Sequence, residues 1–377
     1  MTNGNMAIAV HFRALTDPRI ERTKKHLLLD VVVLAICAVI CGAEGWEEIE
    51  EFGRQKQAWL KRLLKLPHGI PSHDTIARVF RRLKPQQFQE CFLSWTKALE
   101  HELGLEQVAI DGKTLRRSFD RAAAKNALHL VSAWTTRNRF VVGQQAVDGK
   151  SNEITAIPEL LRLLDLKGAI VTLDAMGCQK AIARHVIDAE ADYVLAVKEN
   201  QPSLHAAVHE HFLALHETDF ARGGVRHHVT RSTDHGRVVE RHYYLCPVPH
   251  SPAWNPIRAA WPGLRSIGQV VTLTQYRDGH ETSGVRYYIS SLSPKVKRFA
   301  QAVRSHWAIE NSLHWVLDVS FEEDASRIRK DHGPENFALL RRLATSMIGR
   351  DTSPGSIRRK RKRAAWNNTA LLNILTA

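Results

Sequence analysis

Apolar and polar positions change rhythm twice along this chain. Between residues 15 and 103 the repeat is helical. In "SHDTIARVFRRL" (72–83) Ile76, Val79, Phe80 and Leu83 recur at i, i+3, i+4 and i+7, the spacing of one helix face, and Ser72 stands where a cap belongs. From residue 106 the runs shorten. "QVAID", "LHLVSAWTT" and "RFVVGQQAV" predict three strands, the last two joined by the turn "RN". "EITAIPELLRLLDL" predicts an amphipathic helix, "GAIVTLD" a strand, "QKAIARHVIDAEA" a helix and "DYVLAVK" a strand. The expected order is βββαβαβ, a three-strand meander feeding a parallel α/β half. Residues 203–295 are less regular, and runs such as "VVERHYYLCPV", "SIGQVVTLTQYR" and "GVRYYISSL" predict a mostly β insertion. Helical spacing returns near 297 and runs through 347. In "SPGSIRRKRKRAAWNN", near the end, residues 358–363 are all Lys or Arg.

These shifts divide the sequence into a helical N-terminal region (1–104), a first part of an α/β core (105–202), a mostly β insertion (203–296), closing core helices (297–350) and a basic C-terminal tail (351–377). A length of 377 residues favours two or three units.

Charge narrows the partner. Lys and Arg number 53 against 39 Asp and Glu, a formal net charge of +14. That excess favours a polyanion, with nucleic acid first and an anionic membrane surface second. The longest apolar run, "LLLDVVVLAICAVICGA" (27–43), is interrupted by Asp30 and falls short of the ~20 residues of a spanning helix, so no membrane partner is expected. The first residues lack the pattern of an export signal. Five scattered cysteines without a CxxC pair fit a reducing compartment, and a cytoplasmic location is expected. Neither GxGxxG nor GxxxxGK[ST] occurs, so no nucleotide cofactor is expected. His205 and His209 stand at i, i+4, but without the glutamate of an HExxH helix they read as part of a solvated histidine-rich helix.

Two strands of the core end on an acid. "VAIDGK" delivers Asp111 and "IVTLDAMG" delivers Asp174, each after an apolar run. In a βββαβαβ order the two strands are neighbours, which sets both carboxylates side by side in mid-sheet. Such a pair repels unless a divalent cation lies between its members. A third oxygen ligand is best sought in "RSHWAIENSLHWVLDVSFEEDASRIRKDHG" (304–333). There Ile309, Leu313 and Val316 make a core stripe, while His306, Glu310 and His314 line an adjoining face at steps of four. Glu310 lies nearest the middle of the helix; Asp318, Glu322, Glu323 and Asp324 remain competitors. Three carboxylates around Mg²⁺, or Mn²⁺ in its place, describe in-line phosphodiester chemistry. The carboxylates are expected to converge within the span of a two-metal site.

Basic residues near these acids are candidates for phosphate contact, with a solvated surface as the alternative for each. Arg78, Arg81 and Arg82 lie off the apolar stripe of residues 72–83, in the manner of a recognition helix. Lys113, Arg116 and Arg117 follow the first aspartate. Lys198, Asn200 and Gln201 end the last parallel strand, at the edge where such sheets bind ligands. His306 and Arg327 accompany the glutamate. Arg358, Arg359, Lys360, Arg361, Lys362 and Arg363 are expected to track phosphates without reading sequence. Trp307 and Trp315 flank Glu310 as packing residues or as platforms for a flipped base.

At "AIDGKTLRRS", "VTLDAMGCQ", "VKENQ" and "HWAIENSLHWVLDVSFEEDASRIR" the chain resembles the H-repeat-associated branch of bacterial insertion-sequence transposases, and the likeness extends to "GIPSHDTIARVF" and the basic "RRKRKRAAW". The resemblance implies an α/β fold: an RNase H-like mixed sheet with a β-rich insertion before the glutamate helix, and a helical N-terminal region. It implies Asp111, Asp174 and Glu310 as catalytic, metal-holding residues. It also implies double-stranded DNA partners (terminal inverted repeats and target DNA), a homodimer on paired ends, and a bacterial cytoplasmic location at the nucleoid. The expected activity is metal-dependent cleavage at element ends followed by transfer of the 3′-OH into target DNA. A nuclease that cuts without joining, or a catalytically decayed DNA-binding remnant, is the alternative. Relatives in the wider clan carry Tyr-x2-Arg-x3-Glu-x6-Lys around the glutamate. Here those places hold Val303, His306, Glu310 and Leu317, a departure that removes the lysine some relatives use with hairpins.

Overall fold

The computed structural model describes residues 7–104, 106–147, 152–220, 223–234 and 236–376. A short helix α1 (Ala7–His11) precedes α2 (Leu28–Cys41), α3 (Trp46–Leu60), α4 (His73–Arg82) and α5 (Pro85–Leu103). Then come β1 (Gln107–Thr114), β2 (His129–Thr135), β3 (Phe140–Ala146), α6 (Glu153–Leu163), β4 (Ile170–Leu173), α7 (Lys180–Asp188) and β5 (Asp192–Val197), the expected βββαβαβ order. They are followed by α8 (Pro202–Glu217), β6 (Arg226–Asp234), β7 (Arg237–Pro247), α9 (Asn255–Ala260), β8 (Ser266–Tyr276) and β9 (Glu281–Ser290). The chain continues through α10 (Val296–His306), a π-helical turn (Glu310–His314), α11 (Trp315–Phe321), α12 (Gly333–Arg350), α13 (Ile357–Trp366) and α14 (Asn368–Thr376). Two compact units result: Met1–Gly104 with Gly112–Asn152 and Ile309–Ala377, and Leu105–Asp111 with Glu153–Ala308.

The first unit is built around two helices, α2 and α12, buried on nearly every side. In α2 every residue from Val31 to Ile40 is fully buried, which is the fate of a helix without a polar face. Asp30 tolerates burial at its start because its carboxylate accepts the Leu66 N–H at 2.8 Å. Helix α12 packs against α2 and β3. Its Asn336 amide donates to the carbonyls of Phe80 and Leu83 at 2.7 and 2.9 Å, closing the end of α4, and its Ser346 hydroxyl accepts the Val141 N–H at 3.0 Å. The stripe read in α4 is the buried one: Ile76, Val79, Phe80 and Leu83 are all inaccessible, and Ser72 caps the helix by accepting the Thr75 N–H at 3.4 Å. In this unit the strands run in the order β3-β2-β1, with β2 and β3 antiparallel.

Residues 357–376 depart from the expected solvated tail, for they fold as α13 and α14 within the first unit. Ser356 caps α13. Arg361 donates to the Val39 carbonyl at 3.0 Å and to Glu44 at 2.9 Å, and its guanidinium stands 3.9 Å over the Phe321 ring. Lys360 donates to the Asp351 carbonyl. Long cationic side chains carry apolar stems, and here the stems are buried while the heads find acceptors.

The second unit carries the strand order β1-β4-β5-β9-β8-β7-β6, with β1 shared between the units: its first residues, to Asp111, lie here and Gly112–Thr114 in the other. β1, β4 and β5 are parallel; β9 pairs antiparallel with β5, from Val194↔Ser290 to Val197↔Tyr287. The insertion therefore extends the core sheet as an antiparallel meander. α8 buries Leu204, Val208, Phe212 and Leu215 rather than being solvated on all sides. α10 packs on β4 to β7, and a Cβ on Gly268 would lie 2.5 Å from the Phe299 ring. Gly268→Ala should therefore overpack this contact and lower stability by about 1–3 kcal/mol, read as a shift in the urea midpoint.

Candidate active site

The parallel pairing of β1 with β4 runs in one register from Gln107↔Ile170 to Ile110↔Leu173. Asp111, within β1, and Asp174, just past β4, follow the last pair, so the register sets the two acids side by side. The preceding residues explain why the acids come no earlier. Val108, Ala109 and Ile110 are buried, as is all of Ile170–Leu173, and an ionised carboxylate has no place among them. Asp111 is half-buried and Asp174 exposed. The Asp174 carboxylate is oriented by its own turn, Oδ1 accepting the N–H groups of Met176 and Gly177 at 3.0 and 3.2 Å.

Thr172 and His306 support this strand end. The Thr172 hydroxyl lies 3.0 Å from His306 Nδ1. Burial pushes the His306 imidazole down to about 4, against the opposing pull of the Asp174 charge. It is therefore neutral near pH 7 and stands as a hydrogen-bonding group beside the strand end. Sequence reading missed Thr172; a hydroxyl within an otherwise apolar strand, shortly before its acid, was the available signal. Beside Asp174 opens a cleft of about 620 Å³ lined by Met176, Gln179, Lys198, Asn200 and His205 among others. Lys198 is exposed to it. Asn200 donates to the Ala175 carbonyl at 2.6 Å and Gln201 to the Cys178 carbonyl at 3.0 Å, so these two amides brace the Asp174 turn.

Glu310 belongs to the first unit, where it is exposed and opens the π-helical turn, its carbonyl accepting the Trp315 N–H. Such turns are short and often mark functional positions. Trp315 is 58% exposed. Among the described residues, no three His, Cys, Asp or Glu side chains gather closely enough to hold a metal ion. The register sets Asp111 and Asp174 side by side in the second unit, and Glu310 belongs to the first.

The same unit accounts for the rival acids. Lys113, expected at a phosphate, is buried, its Nζ 2.7 Å from Asp318, 2.8 Å from Asp324 and 3.8 Å from Glu323. Glu323 is fully buried and pairs with Arg342, also fully buried, at 2.8 Å; Arg342 Nε donates to Ser132 at 3.1 Å. Three of the four rival carboxylates are thus engaged with these cations. The fourth, Glu322, is exposed at φ 48° where α11 ends. Burial is the main reason that the His314 imidazole falls to about 3, helped by the charges of Arg342, Lys113 and His129.

Other expected contacts are spread over the surface. Arg78 and Arg82 of α4 are exposed and Arg81 is half-buried. Arg116 is exposed with its Nε 3.1 Å from Asp324; Arg117 is exposed, and its carbonyl accepts from Arg329 at 3.0 Å. Arg327, Arg358, Arg359 and Lys362 are exposed, while Arg363 donates to Ser353 and Pro354.

An acid pair at the ends of adjacent parallel strands, in this βββαβαβ order, defines a class of phosphoryl-transfer proteins with RNase H-like sheets. The chain belongs to the DDE transposase family: the profile described as Transposase DDE domain matches residues 102–347, and the one described as DDE_Tnp_1-associated matches residues 9–96. Among similar proteins named as transposases are YncI of Escherichia coli O157:H7, 41% identical over 97% of this chain and 94% of its own, and the H repeat-associated YhhI of Escherichia coli K12, 40% identical over 97% and 96%. A solved structure of the piggyBac transposase synaptic complex with hairpin DNA aligns at 10% identity, covering 95% of this chain and 76% of that one, with a TM-score of 0.38, too loose a likeness to bear on function.

Two measurements check the ionic cluster. Arg342→Met leaves Glu323 buried and unpaired and should cost about 3–5 kcal/mol in urea unfolding, whereas Glu323→Leu combined with Arg342→Met should recover most of the loss. His314 titrates at about 3 when folded against a reference of 6.5, so the unfolded chain binds more protons between those values. Its contribution is fully present above about pH 6.5 and is lost as pH falls towards 3. His314→Gln should flatten the fall in urea midpoint across that window.

Proposed function

We propose that this chain is an insertion-sequence transposase that cuts DNA at the ends of its element and transfers the freed 3′-OH into target DNA. The observation that carries the reading is the shared register that delivers Asp111 and Asp174 side by side. Both offer hard oxygen donors of the kind Mg²⁺ or Mn²⁺ prefers, and the two turn bonds on Asp174 engage Oδ1 only. Asp111, Asp174 and Glu310 would hold the ions, which when bound supply activation of the attacking hydroxyl and stabilisation of the leaving oxygen. Around them, the Asn200 and Gln201 amides hold the Asp174 turn, and Lys198 offers a cation at the cleft for a phosphate next to the scissile bond. Neutral His306 keeps the strand end fixed without adding charge.

The exposed Arg78 and Arg82 on a short capped helix suit major-groove reading of the terminal repeats, where arginine pairs with guanine edges. A homodimer on two paired ends completes the reading, since both ends must be cut and joined together.

Incubation with Mg²⁺ and a duplex bearing the inverted repeats that flank its own gene tests all of this. The expected products are cleaved ends and, with target DNA present, joined strands. Cleavage without joining would assign the chain to the nucleases; binding without cleavage would mark a decayed remnant, a state for which the similar Escherichia coli K12 protein named Inactive transposase YbfQ, 57% identical over 18% of this chain and 82% of its own, provides a precedent by name. Asp174→Asn and Glu310→Gln should each abolish cleavage while leaving affinity for the ends within about threefold, because each removes a metal ligand and no phosphate contact. Undiminished cleavage by either variant removes that residue from the mechanism.

A further inference from the structure

The two faces of the β6–β9 meander differ in chemistry. Pairing across β6, β7, β8 and β9 runs without a register shift, so alternation assigns every side chain to one face or the other. On one face the row Leu245–Gly268–Tyr288 is closed by the Phe299 ring of α10. The next row holds Tyr243, Val270 and Arg286, and the one beyond it Arg241, Thr272 and Gly284. Further out come Thr274 and Thr282. Asp234 ends β6 opposite Arg237, in the same alternation as Arg241. Glu240 and Glu281 lie on the opposite face, together with exposed Val229, Leu273 and Val285.

Three cations meet on the face that carries Arg241. Arg286 is exposed and held 4.4 Å over the Trp307 ring. Arg241 is half-buried and donates to Ser232 at 3.3 Å. Arg304, exposed in the last turn of α10, is the third. None of the three is ion-paired within the described residues. Burial, then the charges of Arg304, Arg237 and Arg286, hold the Arg241 guanidinium below its ordinary value. Like charges gathered with no acid paired to them repel, and a bound anion relieves that repulsion. Between them the surface is low: a Cβ on Gly284 would meet nothing within 4 Å, and its row neighbour is a threonine.

We propose that this face of β6–β9 binds the sugar–phosphate backbone of duplex DNA, with Arg241, Arg286 and Arg304 contacting phosphates and the threonine hydroxyls donating to phosphate oxygens. The proposal rests on the reading of the chain as a DNA-handling protein only for its choice of polyanion. Arginine forks and hydroxyls on phosphates position a duplex without reading bases, so the binding is indifferent to sequence.

Fluorescence anisotropy with a labelled random-sequence duplex at several salt concentrations tests it. The full-length triple variant Arg241→Gln, Arg286→Gln, Arg304→Gln should bind more weakly. The slope of log K against log salt should flatten by about 0.9 for each phosphate left without its arginine, roughly 2–3 in all. The matching triple replacement by lysine keeps the charge and should restore most of the slope; Arg231→Gln, on the opposite face, should leave it unchanged. A glutamine triple with the wild-type slope overturns the proposal, as does a lysine triple as defective as the glutamine one. A wild-type chain that bound no duplex would overturn this proposal and the transposase reading together, whereas wild-type binding with an unaltered triple overturns this proposal alone.

Discussion

The parallel pairing of β1 with β4 is the constraint from which the catalytic reading follows. A strand buried on both faces cannot carry an ionised group until it leaves the sheet. Because the pairing of β1 with β4 ends at Ile110↔Leu173, the two acids that follow stand at the same level. A slip of one residue would displace one carboxylate along the strand by about 3.3 Å and send its side chain to the other face. The turn after Asp174 is correspondingly tight. A Cβ on Gly177 would lie 2.7 Å from the Leu173 side chain, so glycine is needed where the backbone folds back over the strand end and presents its N–H to the carboxylate.

The first unit solves a different problem, the burial of charge. Lys113 at the end of β1, Glu323 after α11 and Arg342 within α12 come from three distant stretches of sequence and neutralise one another out of water. Ion pairs of this kind add little net stability over apolar packing, but a misplaced partner leaves a charge stranded, so they select one arrangement of the elements that carry them. The end of β1, the segment after α11 and the middle of α12 are tied by that requirement. Asp318 and Asp324 complete it, which is why acids rich in apparent metal chemistry are structural here.

What was legible in the sequence was local. The core strands announce themselves as apolar runs ending in an acid, and the α4 stripe and its Ser72 cap depend only on spacing within a dozen residues. What was hidden depends on partners far along the chain. Lys113 and Asp324 lie 211 positions apart, so nothing near Lys113 marks it as spoken for. Arg361 looks like part of a solvated run until Val39 and Glu44, more than three hundred positions earlier, receive it. The meander was read as an inserted block, yet β9 closes onto β5; edge pairing between strands separated by some ninety residues leaves no local trace, since both are alternating runs in either case.

Net charge has to be redistributed accordingly. The excess of +14 suggested a polyanion partner, and part of its most conspicuous stretch in sequence is turned inward. Lys113, Arg341, Arg342, Lys360 and Arg361 are buried. Exposed cations remain within the run, at Arg358, Arg359 and Lys362, and others are dispersed in sequence: Arg78 and Arg82 on α4, Lys198 at the cleft, Arg286 and Arg304 at the meander. A basic run invites attention because its repulsion is visible along the chain, but repulsion is also what burial and pairing relieve. The cations left to act on a partner are those for which folding found no acid, and that selection is made in three dimensions.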